Sequence, residues 1–384
     1  MTQSKLLSQS IQWLETNEQL AECCRAWNAC KLISVDTEFM RSRTYYPVAG
    51  LFQVNDGKAN YLIDPTTISD WSPLCELFEN PDIIKVLHSC SEDLEVFHRV
   101  LGCLPVNLLD TQVAAAMLGY GFSIGFANLC SAILEIDLPK AETRSNWLQR
   151  PLSESQIHYA ALDVEYLTVI SVKLIRELQQ AGRLGWVREE CEKLKDNFAA
   201  VQNPNLSWTR GKGAWKLSPR GLYFFQKLSL WRELKAQTRD VPRNRVLKDH
   251  AMMAMAQDLP GDVTDLKGID GISERMLQSD GAEFIQLADE AAAVPDAELP
   301  ASLPRPLPSS TKDQARKLRD VVQLKADELN LSAELLMRKK DYEELLRSGL
   351  DGGEYALSEN IQGWRKELLH DLLLNAVNAD SVRN

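Results

Sequence analysis

Asp36 and Glu38 lie two residues apart in Leu32-Ile33-Ser34-Val35-Asp36-Thr37-Glu38-Phe39, a run whose apolar and β-branched residues indicate a strand. Period-two geometry puts both carboxylates on one face of it and Thr37 on the other. Two such acids entering a sheet core lose hydration and repel each other, so they need a compensating cation, and a hard divalent ion is the natural one. An isolated acid pair of this kind is more ordinarily a solvated edge, because Asp and Glu are mostly exposed. The surroundings must decide.

Two further segments bear on the choice. In His88-Ser89-Cys90-Ser91-Glu92-Asp93 a hydrophobic strand ends and a helix begins with two acids in its first turn, where they also suit the helix dipole. That alone accounts for Glu92 and is a sufficient structural reason for Asp93. In Tyr159-Ala160-Ala161-Leu162-Asp163 the phenol and the carboxylate are four residues apart, hence on one helix face, with small residues between them. An acid on an otherwise apolar helix is harder to dismiss.

The elements that must position these groups follow from pattern. Strands are expected over Leu32 to Phe39, Leu51 to Val54 and Ala59 to Ile63, the last two separated by the turn residues Asn55-Asp56-Gly57 and forming an antiparallel meander. A strand at Ile83 to Leu87 then alternates with helices near Leu74 to Phe78, Asp93 to Leu101, Val113 to Leu118 and Ala127 to Leu134. Strands followed by alternating units of both kinds argue for a mixed sheet covered by helices. A long helical pattern runs from Ser153 to Gln180, and no strand is expected after it. Pro204-Asn205 and the Pro-rich stretch from Val294 to Ser310 mark two boundaries. The resulting division is a first domain over residues 1–205, a helical domain over 213–293, a linker over 294–311 and a second helical domain over 312–384. Leu234-Lys235-Ala236 and Leu324-Lys325-Ala326 make the two helical parts faintly alike.

Taken in order, Val35-Asp36-Thr37-Glu38-Phe39 with Arg41, Pro47 and Gln53, then His88 to Leu94, Asp110-Thr111, Trp147, Arg150-Pro151-Leu152 and Tyr159 with Asp163-Val164 resemble the four-acid (DEDD-type) 3′-to-5′ exonuclease family, in its tyrosine branch. The helical parts resemble HRDC modules, the first through Leu266-Lys267-Gly268-Ile269-Asp270-Gly271-Ile272-Ser273 and the second through Ala333 to Leu346. The resemblance implies an α/β fold with a ribonuclease H-like mixed sheet flanked by helices, followed by two small all-α HRDC-like domains. It also implies that Asp36, Glu38, Asp93 and Asp163 hold two Mg²⁺ or Mn²⁺ ions, whose four positive charges balance four carboxylates. Such ions activate a water on one side of a phosphorus and stabilise the leaving 3′ oxygen on the other. By the same resemblance Asp36 bridges both ions, Glu38 and Asp163 complete the site of the attacking water, and Asp93 holds the second ion.

Tyr159 orients that water in this scheme, being a poor base by itself with a pKa near 10. His158 stands five residues before Asp163, the spacing used by the histidine branch of the superfamily. On a regular helix a separation of four falls within about 40° of alignment and one of five is about 140° off. Tyr159 is therefore expected to face the acids. Asp110 is read as structural, and His88 as a hydrogen-bonded residue at a strand end.

The chain has 384 residues, 54 acids against 43 bases, and a net charge of −11, which excludes a uniformly basic coat for nucleic acid. Trp208 to Lys248 departs from that average with eleven Lys or Arg against Glu233 and Asp240, interleaved with Trp208, Trp215, Tyr223, Phe224, Phe225 and Trp231. Basic groups beside stacking rings suit single-stranded RNA, and Arg210, Lys212, Arg243, Arg245 and Lys248 are the candidate contacts. Tyr223, Phe224, Phe225 and Trp231 are more simply explained as helical core, since clustered aromatics usually pack. Eight cysteines without a CxxC pair or zinc spacing are expected to be reduced thiols. With Glu15, Glu18 and Glu22 near the start and no long apolar run, a soluble cytoplasmic monomer is expected, with no membrane and no nucleotide cofactor. The function so indicated is trimming of RNA 3′ ends, by resemblance those of tRNA precursors; a DNA exonuclease and a non-catalytic RNA scaffold are the alternatives.

Overall fold

The computed structural model describes residues 9–138, 142 and 145–381. Its residues fall into two compact units, one of residues 1–40, 49–195 and 307–384, the other of residues 41–48 and 196–306.

The first unit is built on a six-stranded sheet of β1 (Ser10–Leu14), β2 (Leu32–Met40), β3 (Val48–Asn55), β4 (Ala59–Ile63), β5 (Ile84–Leu87) and β6 (Leu108–Asp110). Across the sheet the order is β1-β4-β3-β2-β5-β6. The β3–β4 pair is antiparallel, whereas β1 runs parallel to β4, and β5 runs parallel to both β2 and β6. The hairpin turns where Asn55-Asp56-Gly57 stands: Gly57 takes φ +86°, and the Asn55 and Asp56 side chains accept its N–H and those of Lys58 and Ala59. Two strands escape sequence reading. β1 is an edge strand with its first three residues exposed, so no apolar run marks it, and β6 has only three residues.

Helices α1 (Asn17–Trp27), α2 (Ser72–Glu79), α3 (Ser91–Val100), α4 (Thr111–Met117), α5 (Phe126–Leu134), α6 (Glu154–Gln180) and α7 (Leu184–Gln202) accompany the sheet. α6 starts at a reciprocal cap in which Ser153 accepts the Gln156 N–H and Gln156 accepts the Ser153 N–H. It packs on β2, β4 and β5. Ala160, Ala161, Val164, Leu167, Ile170 and Leu174 are buried on it. Each of the larger of these aliphatic side chains contributes roughly 1.5–3 kcal/mol by leaving water.

Helices α12 (Lys312–Leu329), α13 (Ala333–Leu336), α14 (Lys339–Ser348) and α15 (Gly363–Ser381) belong to this same unit. The segment set apart by the Pro-rich linker packs against α7. Trp186 and Trp364 stack at 4.7 Å with planes 13° apart. Glu190 accepts from Trp364 Nε1 at 3.1 Å and from both terminal nitrogens of Arg365, one at 2.8 Å. Arg183 donates to the carbonyls of Met117 and Leu329, each at 2.8 Å. The Glu190 partners are 174 and 175 residues apart in sequence, beyond the reach of any local pattern.

The second unit contains α8 (Pro219–Arg239), α9 (Arg243–Val246), α10 (Asp249–Asp258) and α11 (Glu274–Ala293). Phe224 and Phe225 are buried in its core with Leu228, Met252, Met255 and Phe284, and Tyr223 and Trp231 pack at the edge, so the rings are core as expected. Residues 41–48 join it through Tyr45. The Tyr45 hydroxyl donates to Glu233, which Arg243 grips with two bonds of 2.6 Å, and Asp240 accepts the Tyr45 and Tyr46 N–H groups. Burial opposes ionisation of Glu233, but Arg243, Tyr45 and Arg210 outweigh it and hold its carboxyl below the usual range.

Candidate active site

β2 delivers Asp36 and Glu38, and α6 lies across it with Asp163. Carboxylate oxygens of Asp36, Glu38 and Asp163 lie within 4.8 Å of one another. Burial pushes the Asp36 carboxyl up to about 7; burial and the charges of Asp36, Asp163 and Asp93 push Glu38 up to about 10. Asp93 and Asp163 are raised in turn by burial and by Asp36. Four neighbouring acids that cannot comfortably ionise together form a site awaiting positive charge. An all-oxygen donor set with so many carboxylates fits a hard divalent cation, the class of ion that four-acid exonucleases use.

Asp93 stands outside the group of three and is held differently. Thr37, the strand residue between the two acids, donates its hydroxyl to Asp93 Oδ1. No sequence motif marks Thr37 for this role. Its placement on the opposite face of β2 was the available signal, because a hydroxyl there meets whatever α3 brings against the strand.

The turn before α3 rests on Asp110. Its carboxylate accepts the N–H groups of Ser89 at 3.0 Å, Cys90 at 2.9 Å and Gln112 at 2.8 Å, while Ser89 adopts φ +58°. Asp110 thus caps α4 and shapes the approach to α3, the structural part expected of it. His88 bonds through its two ring nitrogens to Thr111 Oγ1 at 2.9 Å and the Ile124 carbonyl at 3.1 Å, also as expected. Glu92 lies in the first turn of α3 and is exposed.

The segment entering α6 is pinned by Arg150. Its guanidinium bonds both Asp64 oxygens at 2.5 and 2.6 Å, the Gly50 carbonyl at 2.7 Å and the Trp147 carbonyl at 3.0 Å. Burial raises the Asp64 pKa, but Arg150 and Thr66 more than reverse this and hold it below the usual range. Residue 50 must be glycine here, since a Cβ would stand 2.6 Å from the Trp147 carbonyl oxygen. Arg150→Ala is expected to strand the buried Asp64 carboxylate and cost roughly 2–4 kcal/mol. Thermal unfolding should show it as a lower melting temperature, accompanied by a fall in turnover; an unchanged melting temperature would refute this role.

Tyr159 bonds Asp163, and its phenol is raised by burial and by the charges of Asp163, Glu38 and Asp36. His158 is exposed on the same regular helix, which begins four residues earlier at Glu154. In the second unit Lys212, Arg245 and Lys248 are exposed. Arg243, a candidate RNA contact, bonds Glu233 and lies over the Tyr45 ring, because a buried carboxylate demands a partner. Arg210 lies 3.5 Å from the same carboxylate with its side chain 38% exposed.

A 3′-5′ exonuclease family model matches residues 11–179, and an HRDC domain model matches residues 222–287. Ribonuclease D of Pseudomonas paraeruginosa is 44% identical over 96% of this chain and 97% of its own length. Ribonuclease D of Escherichia coli is 37% identical over 95% and 98%. The crystal structure of the Escherichia coli enzyme, described as an exoribonuclease involved in structured RNA processing, superposes with a TM-score of 0.88 at 36% identity, over 96% of this chain and 99% of that one. With likeness of this degree along nearly the whole of both chains, the reading begun from the acids and the helical modules is met: the chain belongs to the ribonuclease D family of 3′-to-5′ exoribonucleases.

Proposed function

We propose that this chain removes nucleotides one at a time from the 3′ ends of tRNA precursors and other structured RNAs, releasing nucleoside 5′-monophosphates. Asp36, Glu38, Asp93 and Asp163 would hold two Mg²⁺ or Mn²⁺ ions, and Tyr159 would complete the catalytic set. The observation that carries the reading is the convergence of the Asp36, Glu38 and Asp163 oxygens within 4.8 Å, beside a phenol bonded to Asp163.

When bound, the ions supply a water nucleophile near neutral pH and charge stabilisation at the phosphorus and the leaving oxygen. Glu38 and Asp163 would help hold the ion that supplies the attacking water. Tyr159, beside Asp163, would orient that water through its hydroxyl, being a poor base by itself. Thr37 keeps the Asp93 carboxylate turned toward β2. The exposed Lys212, Arg245 and Lys248 follow the RNA backbone, a contribution that weakens with salt. Residues 213–293 and 312–384 are the two HRDC-like modules, and the chain acts as a monomer. The scaffold reading leaves four mutually repelling acids unexplained, and no observation favours DNA over RNA.

The test is incubation of a 3′-extended tRNA and a DNA of matched sequence with Mg²⁺, with Mn²⁺ and with EDTA. Stepwise shortening of the tRNA with release of 5′-monophosphates, stopped by EDTA and slower on DNA, is expected. Degradation that persists in EDTA would overturn the metal assignment, and faster loss of the DNA would overturn the substrate.

A further inference from the structure

Six of the eight cysteines are free thiols, and the other two, Cys75 and Cys103, are joined. Cys75 lies on α2 and is half-buried; Cys103 follows α3 and is 9% exposed. Their Cα atoms are 6.0 Å apart, within the span that a disulfide bridges without backbone movement. A carboxylate oxygen of Glu79, one helical turn beyond Cys75, lies within 4.8 Å of both sulfurs. No spacing motif marks the pair. Burial holds the remaining six thiols protonated. Burial pushes Cys23 to about 11 and Cys24 to about 12 and raises Cys30, Cys90, Cys130 and Cys191 as well.

The segment this bridge closes contains β5, His88, the turn held by Asp110 and all of α3, including Asp93. We propose that Cys75 and Cys103 are a reversible thiol–disulfide modification site, whose oxidation by a low-molecular-weight disulfide staples the segment that carries Asp93. The Cys75 thiolate, the better exposed, attacks one sulfur of the small disulfide; a mixed disulfide forms and one small thiolate leaves. The Cys103 thiolate then attacks Cys75 Sγ, forming the internal bond and expelling the second small thiolate. Two protein thiols are oxidised and one small disulfide is reduced to two thiols. Closing the loop lowers the entropy of states in which this segment is open, so its local opening becomes rarer.

The test uses the full chain, reduced with dithiothreitol or equilibrated with oxidised glutathione, then denatured, alkylated and weighed intact. Eight alkyl groups are expected on the reduced protein and six on the oxidised, with residues 75 and 103 joined in one cross-linked peptide pair and no glutathione retained. Amide exchange over residues 84–100 should slow on oxidation by on the order of tenfold or more. Cys75→Ala and Cys103→Ala should each abolish that difference, and if either folds poorly the wild-type comparison decides by itself. Eight alkyl groups after glutathione treatment, a persistent glutathione adduct, or equal exchange in both states would overturn the proposal. So would Zn²⁺ that binds the reduced chain, fails to bind Cys75→Ala and blocks oxidation, since Cys75, Glu79 and Cys103 would then be a metal site.

Discussion

Asp36→Asn is expected to lower turnover by about 10³-fold or more while RNA binding stays near wild type, because on the proposed mechanism it would remove a central ligand of the ions and with it several kcal/mol of charge stabilisation. The same substitution has a second, opposite effect. Burial pushes the folded-state pKa of Asp36 up to about 7, against a hydrogen bond from the Thr37 backbone that lowers it. The unfolded value is about 4. The folded chain therefore binds more protons in this window, and the stability associated with the protonated acid is fully present below about pH 4 and lost as the pH rises through about 7. In EDTA at pH 8 the Asn variant should melt higher than wild type, and the advantage should vanish near pH 4. Added Mg²⁺ should raise the melting temperature of wild type more than that of the variant. Turnover near wild type at saturating Mg²⁺, or a variant that melts lower in EDTA at pH 8, would remove Asp36 from the centre of the site.

Tyr159→Phe is expected to reduce kcat by about 10² or more with the fold unchanged, the usual scale for a group that positions a reacting proton or water. The ring is retained, and with it the contact to Trp147, whose centroid lies 6.1 Å away. Only the hydroxyl bonded to Asp163 is lost. His158→Ala should leave kcat within about twofold, since an exposed surface side chain is usually worth little. Steady-state kinetics and circular dichroism on both variants check this. If the His158 change proved the more damaging, a histidine-branch mechanism would replace the one in which Tyr159 orients the water.

Sequence periodicity located most of what frames the site. The Leu32 to Phe39 run became β2, the Asn55-Asp56-Gly57 turn became the β3–β4 connection, and the pattern from Ser153 became α6. These succeed because alternation and helical spacing are local properties that burial of one face enforces. The same arithmetic placed Tyr159 and Asp163 on one side of α6. β1 and β6 were not legible, the first because an edge strand needs no apolar run, the second because three residues carry no period.

By itself the sequence determined the identities of the acids and the strand and helix on which they lie, and with them the chemistry available. Tertiary structure alone decided which distant groups neutralise buried charge. Asp64 found Arg150 across 86 residues, Glu190 found Arg365 across 175, and Tyr45 found Glu233 across 188. Arg243 found Glu233, and Cys75 met Cys103 where free thiols were expected. The physical reason is common to all of these. Periodicity tells which face of an element is buried, but a buried charge or thiol takes whatever partner the packing of separate elements brings within reach, and no local pattern encodes that meeting.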